Sequence, residues 1–245
     1  MKAGILIQSR ISSTRLPCKA LLDLDGVTLL GRLIERMYFT KLPIIVVTSN
    51  LPEDDLIEIE AKKYKVDYVF RGSLNNVRSR FYMAAKKLNI DVIVRVTGDN
   101  PFSEPTFVCQ AIEYIKNGAH YASAMSDLCP DGSNIEAFSF SELEKSEQED
   151  PEGLNKYDVE HVTPEIKKRN FNSKSYVNFK PYESLGKLDS SYHIGVDTLE
   201  DYVKVRRIYQ MLKKSELNDE KLLFNICDIL QRNPNFFKKG RRYGL

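Results

Sequence analysis

The chain has 245 residues, of which 42% are hydrophobic and 29% charged, and its 36 Lys and Arg against 34 Asp and Glu leave a net charge of +2. That length suits one large α/β domain with a substantial core, and the near-balance of charge gives no electrostatic reason to expect nucleic acid or an anionic membrane as partner. No apolar run approaches the roughly 20 residues of a membrane helix, and the start lacks a signal peptide's apolar region. Cys18, Cys109, Cys129 and Cys227 are scattered without metal-ligand spacing, so reduced thiols, a cytoplasmic location and no zinc are expected.

Gly4 to Ile7 is a short apolar run suited to a strand buried on both faces of a parallel sheet. The loop after it sets Arg10, Arg15 and Lys19 among Ser9, Ser12, Ser13 and Thr14, and Pro17 stiffens its end. A guanidinium fork and a compact ammonium both suit phosphate oxygens, and ligands of open α/β sheets bind beyond the carboxyl ends of the strands. The loop is therefore either a polyphosphate cradle or a solvated basic turn. It is neither a Walker A loop nor a dinucleotide fingerprint.

Thr28 to Phe39 has helical spacing, Leu42 to Thr48 is a β-branched run, and Pro52 with Glu53, Asp54 and Asp55 opens a helix reaching about Tyr64. Val66 to Phe70 reads as a third strand, Asn76 to Leu88 as a helix and Val92 to Val96 as a fourth strand. This alternation predicts an α/β fold with a doubly wound, mostly parallel sheet in a single domain. Thr97-Gly98-Asp99-Asn100-Pro101 follows, either as a plain turn or as a carboxylate set to hold magnesium beside an anionic ligand.

Ser103 to Lys116 reads as a helix, and Tyr121 to Ser123 and Asn134 to Phe138 read as strands flanking a turn at Cys129 to Ser133. Ser141 and Glu144 have capping-box spacing, and the acids from Glu147 to Glu152 read as a solvated helix end. His161, beside Asp158 and Glu160, reads as a helix-start or hydrogen-bonded residue before it reads as a base. Asn170 to Tyr182 is strand-like. A strand ending in Asp197 precedes a helix that Thr198 and Asp201 cap and that runs to about Lys213. One more helix and a basic tail, Lys238 to Arg242, follow.

Arg10-x-x-Ser13-x-Arg15-Leu16-Pro17-x-Lys19 closely resembles the signature loop of the cytidylyltransferases that make CMP-activated acidic sugars. The nearest likeness is to the spore-coat polysaccharide biosynthesis protein F group, with CMP-Kdo and CMP-acylneuraminate synthetases more distant. The usual form ends Leu-Pro-Gly-Lys; Cys18 replaces the glycine, and a positive φ there would strain it. Gly98-Asp99-x-Pro101, Pro130-Asp131-Gly132 with Glu136, Glu160-His161-Val162-Thr163-Pro164 and Val196-Asp197-Thr198 carry the resemblance over nearly the whole chain.

The resemblance implies a fold of the nucleotide-diphospho-sugar transferase type, a GT-A-like Rossmann variant. It implies CTP-dependent transfer of CMP to a sugar acid or similar small-molecule acceptor, with release of pyrophosphate. A different nucleotide, or a relative without this catalysis, is the alternative. By the same likeness Arg10, Lys19, Asp99 and Asp197 are catalytic, and Asp99 with Asp197 holds Mg2+. Gln8, Ser9, Ser13, Arg15, Arg71, Ser73 and Arg80 join Arg10, Lys19 and Asp99 around the nucleotide, although Arg78 and Arg80 read equally as an exposed helix face. Asp131, Glu136, Glu160 and His161 face the acceptor. Residues 1–125 would form the nucleotide-binding half and 126–245 the acceptor-binding half, with a homodimer interface between Ser141 and Tyr182.

Overall fold

The computed structural model describes residues 1–183, 188–218 and 221–237. Its middle is made of uninterrupted apolar strands. β1 (Ala3–Gln8) pairs in parallel with both β2 (Ile44–Ser49) and β4 (Val92–Thr97), and β3 (Tyr68–Gly72) extends the sheet in parallel beyond β2. Ile5 and Ile7 enter one core and Leu6 the other, the alternation a strand imposes, so a strand covered on both faces has no polar position to offer. β5 (Tyr121–Ala124), β6 (Glu136–Ser139) and β7 (Tyr176–Phe179) complete the order β3-β2-β1-β4-β6-β5-β7. β6 alone among these strands runs antiparallel to its neighbours, so the sheet is doubly wound and mostly parallel as expected.

One face is covered by α1 (Leu29–Met37), α2 (Asp55–Lys63), α4 (Pro105–Lys116), α8 (Leu199–Met211) and α9 (Leu222–Arg232). The other carries α3 (Val77–Leu88), α5 (Phe140–Glu149), α6 (Lys156–His161) and α7 (Pro164–Asn170). α1 shows how the sequence builds such a layer. Thr28 Oγ1 accepts from Gly31 N–H at 3.0 Å to start it, and Leu29, Leu30, Leu33, Ile34 and Met37 fall on one stripe and are fully buried. Each such side chain contributes about 2 kcal/mol of burial.

Five local expectations change. The cap of α5 is Ser139, whose hydroxyl accepts from Glu142 N–H, and not Ser141, because β6 runs on to Ser139 and the helix starts at once. The acids at the end of α5 are not merely solvated: Glu147 and Asp150 clamp Arg78, which is 1% exposed, and Glu149 pairs with Arg169 at 2.6 Å. His161 ends α6 instead of starting a helix, since Asn155 takes the cap. Of Asn170 to Tyr182 only Tyr176–Phe179 is strand, preceded by the unforeseen α7 with Pro164 in its first turn. Residues 193–197 form no strand; a single bridge between His193 and Asp131 is all the ladder they make. The basic tail expected at Lys238 to Arg242 lies outside the described residues.

Candidate active site

The basic loop is fastened before it is functional. Ser9 N–H donates to Val47 O at 3.2 Å, Ile11 N–H to Asp54 Oδ1 at 2.7 Å, and Cys18 N–H back to Ile11 O at 3.0 Å. Asp54 is fully buried, and its other oxygen accepts from Ser49 N–H at 3.1 Å, so the turn after β2 pins the loop after β1. Cys18 stands at φ 59 and ψ 15, in the left-handed region, with its side chain exposed. A cysteine there carries about 1–2 kcal/mol of backbone strain, partly offset by glycine's greater loss of freedom on folding. Cys18→Gly should therefore raise the unfolding free energy by about 0.5–1 kcal/mol in urea titration.

Beyond the carboxyl ends of β1 and β4 the charges meet. Lys19 Nζ lies 2.7 Å from Asp99 Oδ2, 3.3 Å from Asp197 Oδ1 and 2.8 Å from the carbonyl oxygen of Val196. Arg15 Nη2 donates to the same Asp197 oxygen at 2.8 Å. Asp99 reaches this point because Gly98 precedes it: Gly98 N–H donates to Gln8 O at 2.8 Å, and a Cβ on that residue would stand 2.7 Å from the same oxygen. Asp197 is brought in from far along the chain, with Val196 N–H donating to Asp99 O at 2.9 Å and the α8 capping box fixing the residues after it. Burial pushes the Asp99 carboxyl up, but the Lys19 ammonium outweighs it and holds the group below the usual carboxylate range.

These residues stand around a cavity of about 360 Å³. Gln8, Ser9, Arg10, Ser13, Arg15 and Lys19 line it from the loop, and Asp99, Asp131 and Asp197 from across the crevice. Glu160 and His161 reach it from the end of α6, where Glu160 pairs with Arg10 at 3.5 Å. Burial, helped by the Arg95 charge, lowers the pKa of His161. Arg80 is a wall residue and not an exposed helix face: it is 3% exposed, and its Nε and Nη1 have no hydrogen-bond partner among the described residues. Burial and then the neighbouring Arg10 charge bring its pKa down to about 10.

Three expected contacts lie elsewhere. Arg71 donates to Ser49 O at 3.0 Å and Leu51 O at 2.7 Å and pairs with Asp55 and Glu58, so its fork braces the turn after β2 and does not line the cavity. Ser73, just past β3, is not among the lining residues either. Glu136 lines an adjoining cavity of about 450 Å³, which shares Arg95, Thr97 and Asn100 with the first. There it accepts from Tyr121 Oη and Thr163 Oγ1, both at 2.9 Å, and pairs with Arg95 and Lys167.

Burial opposes the charge on Glu136, but Arg95 and Lys167 prevail and lower its pKa from 4.5 to about 2. A depressed carboxyl pKa contributes stability that is whole above the unfolded value and is lost as pH falls through the folded one. The contribution is on the order of 3 kcal/mol. Wild type should therefore exceed Glu136→Gln in urea stability at pH 7, with the gap shrinking as the pH is taken from 4.5 toward 2.

Sequence reasoning passed over Arg95, Asp54 and His193. Arg95 had a signal, as a cation inside the apolar run Val92 to Val96, where a charge must be paired. It donates to Gln8 Oε1 at 3.0 Å and meets Glu136 on its other side, forming the floor between the two cavities. Asp54 read as a first-turn helix acid, and nothing local to it foretold a bond to Ile11.

The family pattern described as Cytidylyltransferase matches residues 4–242. The spore coat polysaccharide biosynthesis protein SpsF of Bacillus subtilis is 30% identical over 240 residues, 94% of this chain and 94% of that protein. Among solved structures, a cytidylyltransferase from Leptospira borgpetersenii superposes with a TM-score of 0.84 at 30% identity over 100% of both chains. A CMP:2-keto-3-deoxy-manno-octonic acid synthetase complexed with CTP shares the fold, at TM-score 0.65 and 19% identity, over 86% of this chain and 100% of that one. With nearly its full length matched, the chain belongs to the cytidylyltransferase family and is a nucleotidyltransferase.

Proposed function

We propose that this enzyme joins CMP, from CTP, to a hydroxyl of a sugar acid or similar acceptor and releases pyrophosphate, in the assembly of a surface polysaccharide or glycoconjugate. The observation that carries the reading is the convergence of Lys19 and Arg15 on Asp99 and Asp197 at one end of the cavity. The chemical requirement is in-line attack by the acceptor oxygen on the α-phosphorus as the bond to pyrophosphate breaks. Such a transfer depends on positioning and charge neutralisation more than on covalent catalysis.

Arg15 and Lys19 would turn from the carboxylates to the β- and γ-phosphates, with Arg10 and Ser13 at the rim, and neutralise the leaving pyrophosphate. Arg80 presents donors to the cavity wall, which suits cytosine, whose O2 and N3 both accept; uracil offers a donor at N3. The adjoining cavity, floored by Arg95 and Glu136, is the acceptor's place in this reading.

Magnesium fits the residues present. The Lys19 ammonium already rests against two carboxylates and a carbonyl, an all-oxygen set that attracts a hard cation. Asp99 and Asp197 would hold the ion, which when bound polarises phosphoryl oxygens and acidifies a nearby hydroxyl. Exposed Leu154, Tyr157 and Phe171 support a homodimer through the segment from Ser141 to Tyr182. A cytoplasmic location, where CTP is available, completes the proposal; in the described residues no helix is long and apolar enough to cross a membrane.

The test is thermal unfolding with magnesium and each of the four nucleoside triphosphates, followed by a pyrophosphate-release screen over Kdo-like and nonulosonic acids. CTP at about 100 times its Kd should add about 2.7 kcal/mol and give the largest rise in Tm. Equal shifts with all four nucleotides would count against cytidine specificity, and no pyrophosphate from any sugar acid would count against the acceptor class.

A further inference from the structure

Resting on the proposed site, we infer that His193 is a positioning residue that ties Asp131, on the turn between β5 and β6, to Asp197, across the same cavity, by way of Asp201. His193 is 7% exposed, and its ring lines the cavity. Its Nδ1 lies 2.7 Å from Asp131 Oδ2. Its Nε2 is buried, has no hydrogen-bond partner among the described residues, and faces Asp201 Oδ2 at 3.9 Å.

That same Asp201 oxygen accepts from Asp197 N–H at 3.1 Å, from Thr198 N–H at 2.9 Å and from Thr198 Oγ1 at 2.9 Å. The imidazole edge thus backs the atom that holds the backbone of Asp197. The backbone around the ring is built to bring these segments together. Asp131 N–H donates to Tyr192 O at 2.9 Å and Ile194 N–H to Asp131 O at 2.7 Å. Gly132, at φ 96, lies so close that a Cβ would stand 2.4 Å from Gly195 N.

A ring oriented by one carboxylate and turned toward the support of another reproduces the logic by which outer residues aim a metal ligand. Placement of Asp197 then depends on the turn between β5 and β6 as well as on the α8 cap. His193 touches neither of the proposed ion's ligands, so its effect should fall on the metal-dependent part of nucleotide binding.

Calorimetric titration of CTP into the full chain, with and without Mg2+, tests this. His193→Phe should weaken CTP binding in Mg2+ about 10-fold and leave metal-free CTP binding within about twofold. Asp131→Asn should give a loss of the same kind that does not add to that of His193→Phe. His193→Gln, whose amide reaches the Nε2 position, should restore more of the Mg2+-dependent affinity than His193→Asn, which reaches Nδ1. An equal loss with and without Mg2+ in His193→Phe, or wild-type affinity, overturns the inference. Should that variant fail to fold, equal affinities of the Gln and Asn variants overturn it instead. Wild-type protein that binds no CTP in either condition would remove the proposed function itself, whereas a wild type that gains affinity from Mg2+ leaves it standing whatever the variants do.

Discussion

Asp99→Asn and Asp197→Asn should each lower CMP transfer by at least about 1,000-fold, equivalent to about 4 kcal/mol of transition-state stabilisation, while metal-free CTP binding holds or tightens. The two effects separate because a carboxylate beside a triphosphate is repulsive unless a cation lies between them. Removing one negative charge therefore eases entry of the bare nucleotide and removes a ligand for the ion that the reaction uses. Asn keeps the shape of each side chain, and Asp99 is 28% and Asp197 13% exposed, so neither change opens a cavity. Steady-state pyrophosphate release together with calorimetry reads both quantities. If turnover survives in either variant, the two carboxylates are not a metal site.

Lys19→Met should weaken folding as well as catalysis. The ammonium is 13% exposed and contacts both carboxylates, so its loss leaves Asp99 without its cation and Asp197 with Arg15. Stranding a charge in this way costs about 3 kcal/mol. With Lys19 gone, the largest influences that hold the Asp99 pKa down are lost, and burial, opposed by the Thr97 hydrogen bond, should push that carboxyl up. Mg2+ should raise the Tm of Lys19→Met more than that of wild type, because the ion re-pairs the same oxygens. Turnover should fall about 100-fold or more even in saturating Mg2+, since the leaving pyrophosphate loses a point charge. A Tm response to Mg2+ equal to wild type would show that the ammonium and the ion do not compete for one place.

The strands were legible because burial on both faces favours apolar residues, and Gly4 to Ile7 and, apart from Arg95, Val92 to Val96 say so without help. Capping chemistry is equally local, and Thr198 with Asp201 forms the box that the spelling predicts. Where two serines stood two residues apart the choice failed: Ser139, not Ser141, starts α5, because the length of β6 decides it and that length depends on pairing with β4. The acids from Glu147 to Asp150 read as solvated because their partners, Arg78 and Arg169, lie far along the chain. Arg71 shows the opposite failure. Its motif pointed to a ligand, but Asp55 and Glu58 compete for the same fork and hold it.

By its sequence alone this protein determined which stretches are buried strands, that a cationic loop follows the first of them, and which two carboxylates close a strand or open a helix. These are matters of side-chain chemistry over a few neighbouring residues. Only the tertiary structure decided that Lys19 meets Asp99 and Asp197 at one point, that Arg80 faces the cavity while Arg71 does not, and that Glu136 stands in a second chamber beyond Arg95. Those facts depend on strand order and on the register between segments, and electrostatic partners are selected by distance in space, which no local pattern of residues encodes.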